Sequence, residues 1–263
     1  MAESDRLQSP FAAMADLLAQ RPIRVLSADE IEQMLASHQL YLKTEYREGH
    51  RADFSSADLT GLDFAGLDLR GIKMDRAVLR RAAFIGANLR GANLIGAAGH
   101  EGRFDRTDLS RARLSGANLV AASFMEAWLV KAELEFAVMA NAVFQGACLC
   151  EADMSGTVLD GAQLTRADLR KANLRGAGLR DARLDSADLR DATLGGAFLA
   201  GASLRGADLR GAYLRLAKLD GADLSDANLE GVEGLMKAQL DRAQLNSGTK
   251  LPDGLIGVEN AER

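Results

Sequence analysis

Disulfides, aromatic mass and membrane-length apolar runs are scarce or missing in this chain of 263 residues. Cysteine occurs only at Cys148 and Cys150, so no disulfide framework holds the fold, and unbridged thiols fit a reducing compartment. Aromatic residues are 5% of the chain although 48% is hydrophobic, which puts the apolar mass in Ala, Leu and Val. No uncharged apolar run approaches the roughly 20 residues that span a bilayer. Glu3, Asp5 and Asp16 surround a short apolar start, unlike the basic start and long apolar core of a signal peptide. The expectation is a cytoplasmic protein without a membrane span. The formal net charge of −5 is small and made from many charges of both signs, which gives no general attraction to nucleic acid or anionic lipid.

What the chain has in abundance is a period of five. From Phe54 to Leu229 an apolar centre recurs in 36 units without an insertion, and Leu fills 26 of the centres, Phe six, Met three and Gly99 one. Two residues before the centre stands Ala in 30 units, and Gly takes the last place in 17. Five matches neither the helical period of about 3.6 nor the strand period of 2. It fits a chain that turns one corner per unit, with the centre and the small residue inward and three positions outward. Gly relieves strain where the chain turns.

The pattern A-(D/N)-L-x-x, as in Ala-Asp-Leu-Arg-Lys at 167–171 and Ala-Asn-Leu-Arg-Gly at 87–91, strongly resembles the pentapeptide-repeat family. The resemblance implies an all-β solenoid, a right-handed quadrilateral parallel β-helix with four pentapeptides per coil. The sequence supports four independently: Phe64, Phe84, Phe104, Phe124 and Phe144 recur every 20 residues. A four-sided coil stacks them into one internal column, whereas a 15-residue coil scatters them. Thirty-six units then make about nine coils, roughly 43 Å long at the ~4.8 Å spacing of neighbouring strands. Gly99 interrupts the column of Leu79 and Leu119, and either Phe104 leans into the space or the chain bends there.

Three segments are expected: a helical cap over 1–50, the β-helix over 51–231, and a closing stretch over 232–263. An open β-helix end invites edge pairing unless covered. Ser27-Ala-Asp-Glu30 reads as a capping box, followed by an apolar helical stripe at Ile31, Met34, Leu35, His38 and Leu42. A shorter helix is expected from Pro10 through Phe11, Met14, Leu17 and Leu18, ending before Pro22. Near Gly234 the frame slips by one residue, and Leu240 and Leu245 resume it. Gly234–Leu245 is therefore a partial coil or a short helix, with a polar tail from Asn246.

Nothing in the sequence points to catalysis, which needs polar groups converging in a pocket. His38, His50 and His100 are far apart, and the glycines follow the corner period rather than a phosphate loop. Cys148 and Cys150 point outward together, but no His or further Cys lies beside them, so they read as free thiols rather than a metal site. No catalytic residue, cofactor or metal is expected, and the chain is not expected to be an enzyme.

The outer columns carry more information. One side sets Asp68, Asn88, Asp108, Asp168, Asp188 and Asp208 before its centres and Arg70, Arg90, Arg170, Arg190 and Arg210 after them. These columns compensate each other. The pattern breaks at Trp128-Leu-Val130 and Cys148-Leu-Cys150, and Met125, Phe136, Val138 and Val143 add outward apolar groups nearby. A contiguous apolar patch rimmed by charge marks an interface, and Trp is a favoured anchor. These eight residues are the candidate protein interface, for an unknown protein partner or for self-association. A second, weaker side carries Val78, Ala98, Val138, Val158 and Phe198.

Two functions follow as expectations. The first is a protein-binding or scaffold module acting through the faces of a rigid rod. The second is implied by a branch of the family that mimics duplex DNA and binds type II topoisomerases such as gyrase. That mimicry requires a strongly acidic surface, and residues 51–231 carry 24 Asp and Glu against 23 Lys and Arg. The near-neutral rod disfavours it.

Overall fold

The computed structural model describes residues 22–255. The helix expected near Pro10 lies outside them.

Each pentapeptide forms one side of a coil and one turn. In the turn the N–H of the next unit's small residue donates to the centre's carbonyl, as from Ala57 to Phe54 at 3.0 Å. The second turn residue has positive φ in all 36 units, at 17 glycines and 19 other residues. A three-residue-apart bond with positive φ at that place is the type II turn. The corner geometry therefore belongs to the repeat and is kept where Gly is absent, as at Phe136 and Leu216, with φ of 58° and 62°.

Between turns, a single residue per side pairs with the coils above and below. Parallel bridges join Asp53 to Lys73, Asp58 to Val78, Asp63 to Ala83 and Asp68 to Asn88, and the step of 20 continues to Tyr213 and Glu233. Four units thus complete a turn of the chain. Corners every five residues leave no room for longer strands. The backbone bonds run coil to coil: Leu59 N–H donates to Val78 O at 2.8 Å and Val78 N–H to Ala57 O at 2.9 Å.

The interior is a column of side chains. The Leu, Phe and Met centres and their Ala companions are almost wholly buried. Phe64, Phe84, Phe104, Phe124 and Phe144 stack with centroids 4.9–5.0 Å apart and planes within 8° of parallel. Burying each large centre contributes about 1.5–3 kcal/mol, spread along a core in which each coil meets only its neighbours. At Gly99 the chain neither bends nor leaves a gap. The Ala98–Asn118 bridge keeps the 20-residue step, and Leu119 fills the space, its Cδ2 2.8 Å from where a Cβ on Gly99 would stand. Phe104 leans over Gly102 instead.

Both ends are covered. Arg24 bridges Ala57, receiving Asp58 N–H at 2.9 Å and donating to Ser56 O at 2.8 Å. Helix α1 (Ala28–Lys43) follows, with Ser27 as N-cap and Glu30 completing the capping box. Ile31, Met34 and Leu35 pack on the core, and His38 is fully buried. At the other end a four-residue helix α2 (Lys237–Leu240) buries Leu240, and Gln239 Nε2 donates to Leu214 O and Ala217 O, both at 2.9 Å. Gln244 bridges Asp223, and Lys250 bridges Asn228. The register has slipped by one and then two residues, so residues 246–250, expected as tail, extend the last coil.

No helix among the described residues is long and apolar enough to cross a membrane.

Candidate functional site

Bridges at a step of 20 fix which outward residues share a side. Trp128, Val130, Cys148 and Cys150 lie on the side centred on Leu129 and Leu149. Met125 and Val143 lie on the adjoining side, centred on Phe124 and Phe144. Phe136 stands at the second corner after Trp128, and Val138 lies on the side beyond it, opposite Trp128 but adjoining the side of Val143 across one corner. The eight residues are neighbours in sequence but not one patch. Six of the eight occupy two adjoining sides, Val138 borders that pair from its other edge, and Phe136 stands further away.

The six-residue cluster is uneven in exposure. Trp128 is 50% exposed and Met125 41% exposed, while Val130, Val143 and both cysteines are half-buried. On the far side Phe136 is 67% exposed, its ring lying over the Cα of Gly156. Along that side Val158 and Phe198 are also exposed, and the Arg180 guanidinium sits 4.8 Å above the Phe198 ring.

The charged surface is neutralised locally. Arg170, Arg190 and Arg210 each grip the Asp two residues before with two nitrogens, the shorter contact being 2.6 Å in each. The next rungs lie close: Arg170 reaches Asp188 at 3.6 Å and Arg190 reaches Asp208 at 3.7 Å. This ladder holds the carboxyls of Asp168 and Asp208 low, Asp168 at about 2, because a guanidinium hydrogen-bonds each. Elsewhere ion pairs span adjacent coils, as Arg106–Glu126, Arg113–Glu133 and Lys131–Glu151. On the Trp128 side, the Asp and Arg places are taken by Trp128 and Val130 in one coil and by Cys148 and Cys150 in the next.

The two thiols face each other with Sγ atoms 3.2 Å apart. Arg170 Nη2 lies 3.8 Å from Cys150 Sγ, and burial pushes the Cys150 thiol up from its ordinary range. Asp168, one coil along from Cys148, approaches the pair. The 20-residue step of the sequence already puts Asp168 in the column of Cys148; the close approach of its carboxylate to the thiols is what the structure adds.

Eight copies of the family model for pentapeptide repeats match, distributed from residue 50 to residue 233. No curated protein matches the chain. Among solved structures, the chain is similar to HetL, a pentapeptide repeat protein involved in heterocyst differentiation regulation from the cyanobacterium Nostoc sp. strain PCC 7120. The identity is 31%, over 87% of this chain and 98% of that one, with a TM-score of 0.48. A trypsin-treated form of QnrB1, a plasmid-mediated fluoroquinolone resistance protein, is 22% identical over 74% of this chain and 91% of that one, with a TM-score of 0.43. The Nostoc protein alr5209, another pentapeptide repeat protein, is 38% identical over 40% of this chain and 84% of that one, with a TM-score of 0.35.

Proposed function

Because the chain belongs to the pentapeptide-repeat family, we propose that it is a non-enzymatic protein-binding module, a right-handed rod of about nine coils that docks through its outer faces. In this reading residues 1–50 cap the rod, 51–231 form it and 232–263 close it, and the protein works in the cytoplasm.

One observation carries the reading: the Asp–Arg ladder stops where the half-exposed Trp128 and the exposed Met125 stand on either side of one corner. Leu129 and Leu149, the centres beneath this cluster, are the sixteenth and twentieth of 36, so the apolar cluster lies close to the rod's midpoint with charged ladders on both sides. A two-fold axis there sets the cluster against its own copy, as an isologous interface requires. The antiparallel arrangement also sets one copy's far ladder, acid beside base, against the other's near ladder. The occupant that fits this symmetry is a second copy of the chain. Trp128 is the anchor, since large aromatic side chains dominate such contacts.

Local ion pairing of the acidic groups argues against a duplex-DNA mimic, which needs a continuous negative field. The assembly is tested by comparing the mass in solution of the wild type and of Trp128→Asp. A dimer that the substitution dissociates supports the reading. A wild type that stays monomeric at every accessible concentration, or a dimer that the substitution leaves intact, contradicts it.

A further inference from the structure

We propose that Cys148, Cys150 and Asp168 form a binding site for a soft, thiophilic divalent cation of the zinc type on the side of the rod. The site shares Cys148 and Cys150 with the proposed docking cluster but needs no second copy.

The geometry comes from the repeat. Cys148 and Cys150 flank the inward Leu149, so both side chains leave the same side of the coil, and the Sγ atoms stand 3.2 Å apart. In the following coils the same two places hold an Asp and an Arg that bind each other. The thiol pair therefore replaces an ion pair in a column otherwise built from them. Stacking at 20 residues then places Asp168 directly beside Cys148. One donor atom from each of the three residues lies within 4.8 Å of the others.

Tetrahedral zinc with Zn–S near ~2.3 Å holds its sulfurs about 3.8 Å apart. A small rotation about the Cα–Cβ bonds opens the present separation to that value. Two thiolates favour zinc and its softer relatives over calcium or magnesium, which take oxygen ligands. The fourth position opens on a surface depression of about 280 Å³ lined by Cys150, Glu151, Arg170, Lys171, Arg190 and Asp191, where water completes the tetrahedron.

Charge balance favours the site. Two thiolates and one carboxylate against a divalent cation leave one negative charge, and Arg170 supplies the compensating positive one. Its guanidinium already contacts Asp168 at 2.6 Å and Cys150 Sγ at 3.8 Å, as an outer-shell partner that orients ligands. On binding, each thiol gives its proton to solvent and its sulfur lone pair to the metal. Two protons leave per cation, and nothing is oxidised or reduced. Because both sulfurs bind as thiolates, affinity rises with pH.

The test uses the full chain, reduced, freed of reductant and shown to carry two reactive thiols. It is titrated with cobalt(II) alone, followed by zinc. The expected result is a thiolate-to-cobalt charge-transfer band that saturates at one metal per chain, releases about two protons and is bleached by zinc. Cys148→Ser and Cys150→Ser each abolish the band. Asp168→Asn keeps it but weakens binding at least about tenfold, the loss typical even of outer-shell partners. These positions are on the surface, and an unchanged thermal transition verifies that the variants are folded. Absence of the band in protein with two free thiols overturns the proposal, as does a band that survives Cys150→Ser.

Discussion

His38 Nδ1 accepts the backbone N–H of Ala52 at 3.3 Å, so a fully buried imidazole of helix α1 closes the first unit of the rod. An accepting Nδ1 puts the neutral ring's proton on Nε2, which finds no partner among the described residues. A protonated His38 has no lone pair for Ala52 and loses this bond.

Burial pushes the His38 pKa below the ordinary range, with Arg51 and Arg70 acting in the same direction and Asp68 against it. The released or unfolded ring titrates near ~6.5 and takes up its proton first as pH falls. Above that value both states are neutral and the cap is fully docked. Below it, docking weakens with falling pH, down to the folded ring's lower pKa. Hydrogen exchange over residues 28–43 should be faster at pH 5 than at pH 7.5, and His38→Leu should remove most of that difference. Equal protection at both pH values in the wild type would contradict the account.

The stacked Phe column should be the least tolerant part of the core. Phe104 has a ring 5.0 Å away on one face and another 4.9 Å away on the other. Phe104→Ala should cost about 3–5 kcal/mol by urea unfolding. Phe104→Leu, the residue of most other centres, should lose only the ring pairing, about 0.5–1.5 kcal/mol per pair.

Gly99 is filled space rather than a cavity. A Cβ there stands 2.8 Å from Leu119 Cδ2, so restoring the repeat's own residue with Gly99→Leu should destabilise by about 1–3 kcal/mol. The double variant Gly99→Leu with Leu119→Ala should recover part of that loss. A stabilising Gly99→Leu would show that the space is empty.

The corners should respond in the opposite sense. Leu216 is held at φ 62° while 66% exposed, a conformation costing an L-residue about 1–2 kcal/mol, against about 0.5–1 kcal/mol for the extra freedom glycine loses on folding. Leu216→Gly should raise stability by up to about 1 kcal/mol, read as a higher urea midpoint.

Much of this architecture was legible in the sequence because the repeat leaves few choices. The five-residue period named the inward positions, and the Phe spacing gave the register that the bridges follow. Ser27, Glu30 and the stripe through His38 gave α1 because capping and helical periodicity are local. What the sequence hid depends on side-chain direction. Leu119 lies over the place beside Gly99, and the donor atoms of Cys148, Cys150 and Asp168 converge only through where their side chains point. Phe136 reads as a neighbour of Trp128 by number but stands at the second corner after it. The continuation through Lys250 was obscured because two successive one-residue insertions broke the frame while the ladder went on pairing.

The surface chemistry also makes a negative prediction. Acidic groups paired within the rod, as Asp188 is with Arg190 at 2.6 Å, cannot present duplex-like charge. The purified chain should leave gyrase supercoiling unaffected even in large excess, and dose-dependent inhibition would restore the mimic.

The central claim, that the break in the charged ladder at Trp128 is a docking surface, is tested most directly by the mass in solution from light scattering of the wild type beside Trp128→Asp. The account predicts a concentration-dependent dimer for the wild type and a folded monomer for the variant. A wild type that is monomeric throughout, or a variant that dimerises equally well, would contradict it.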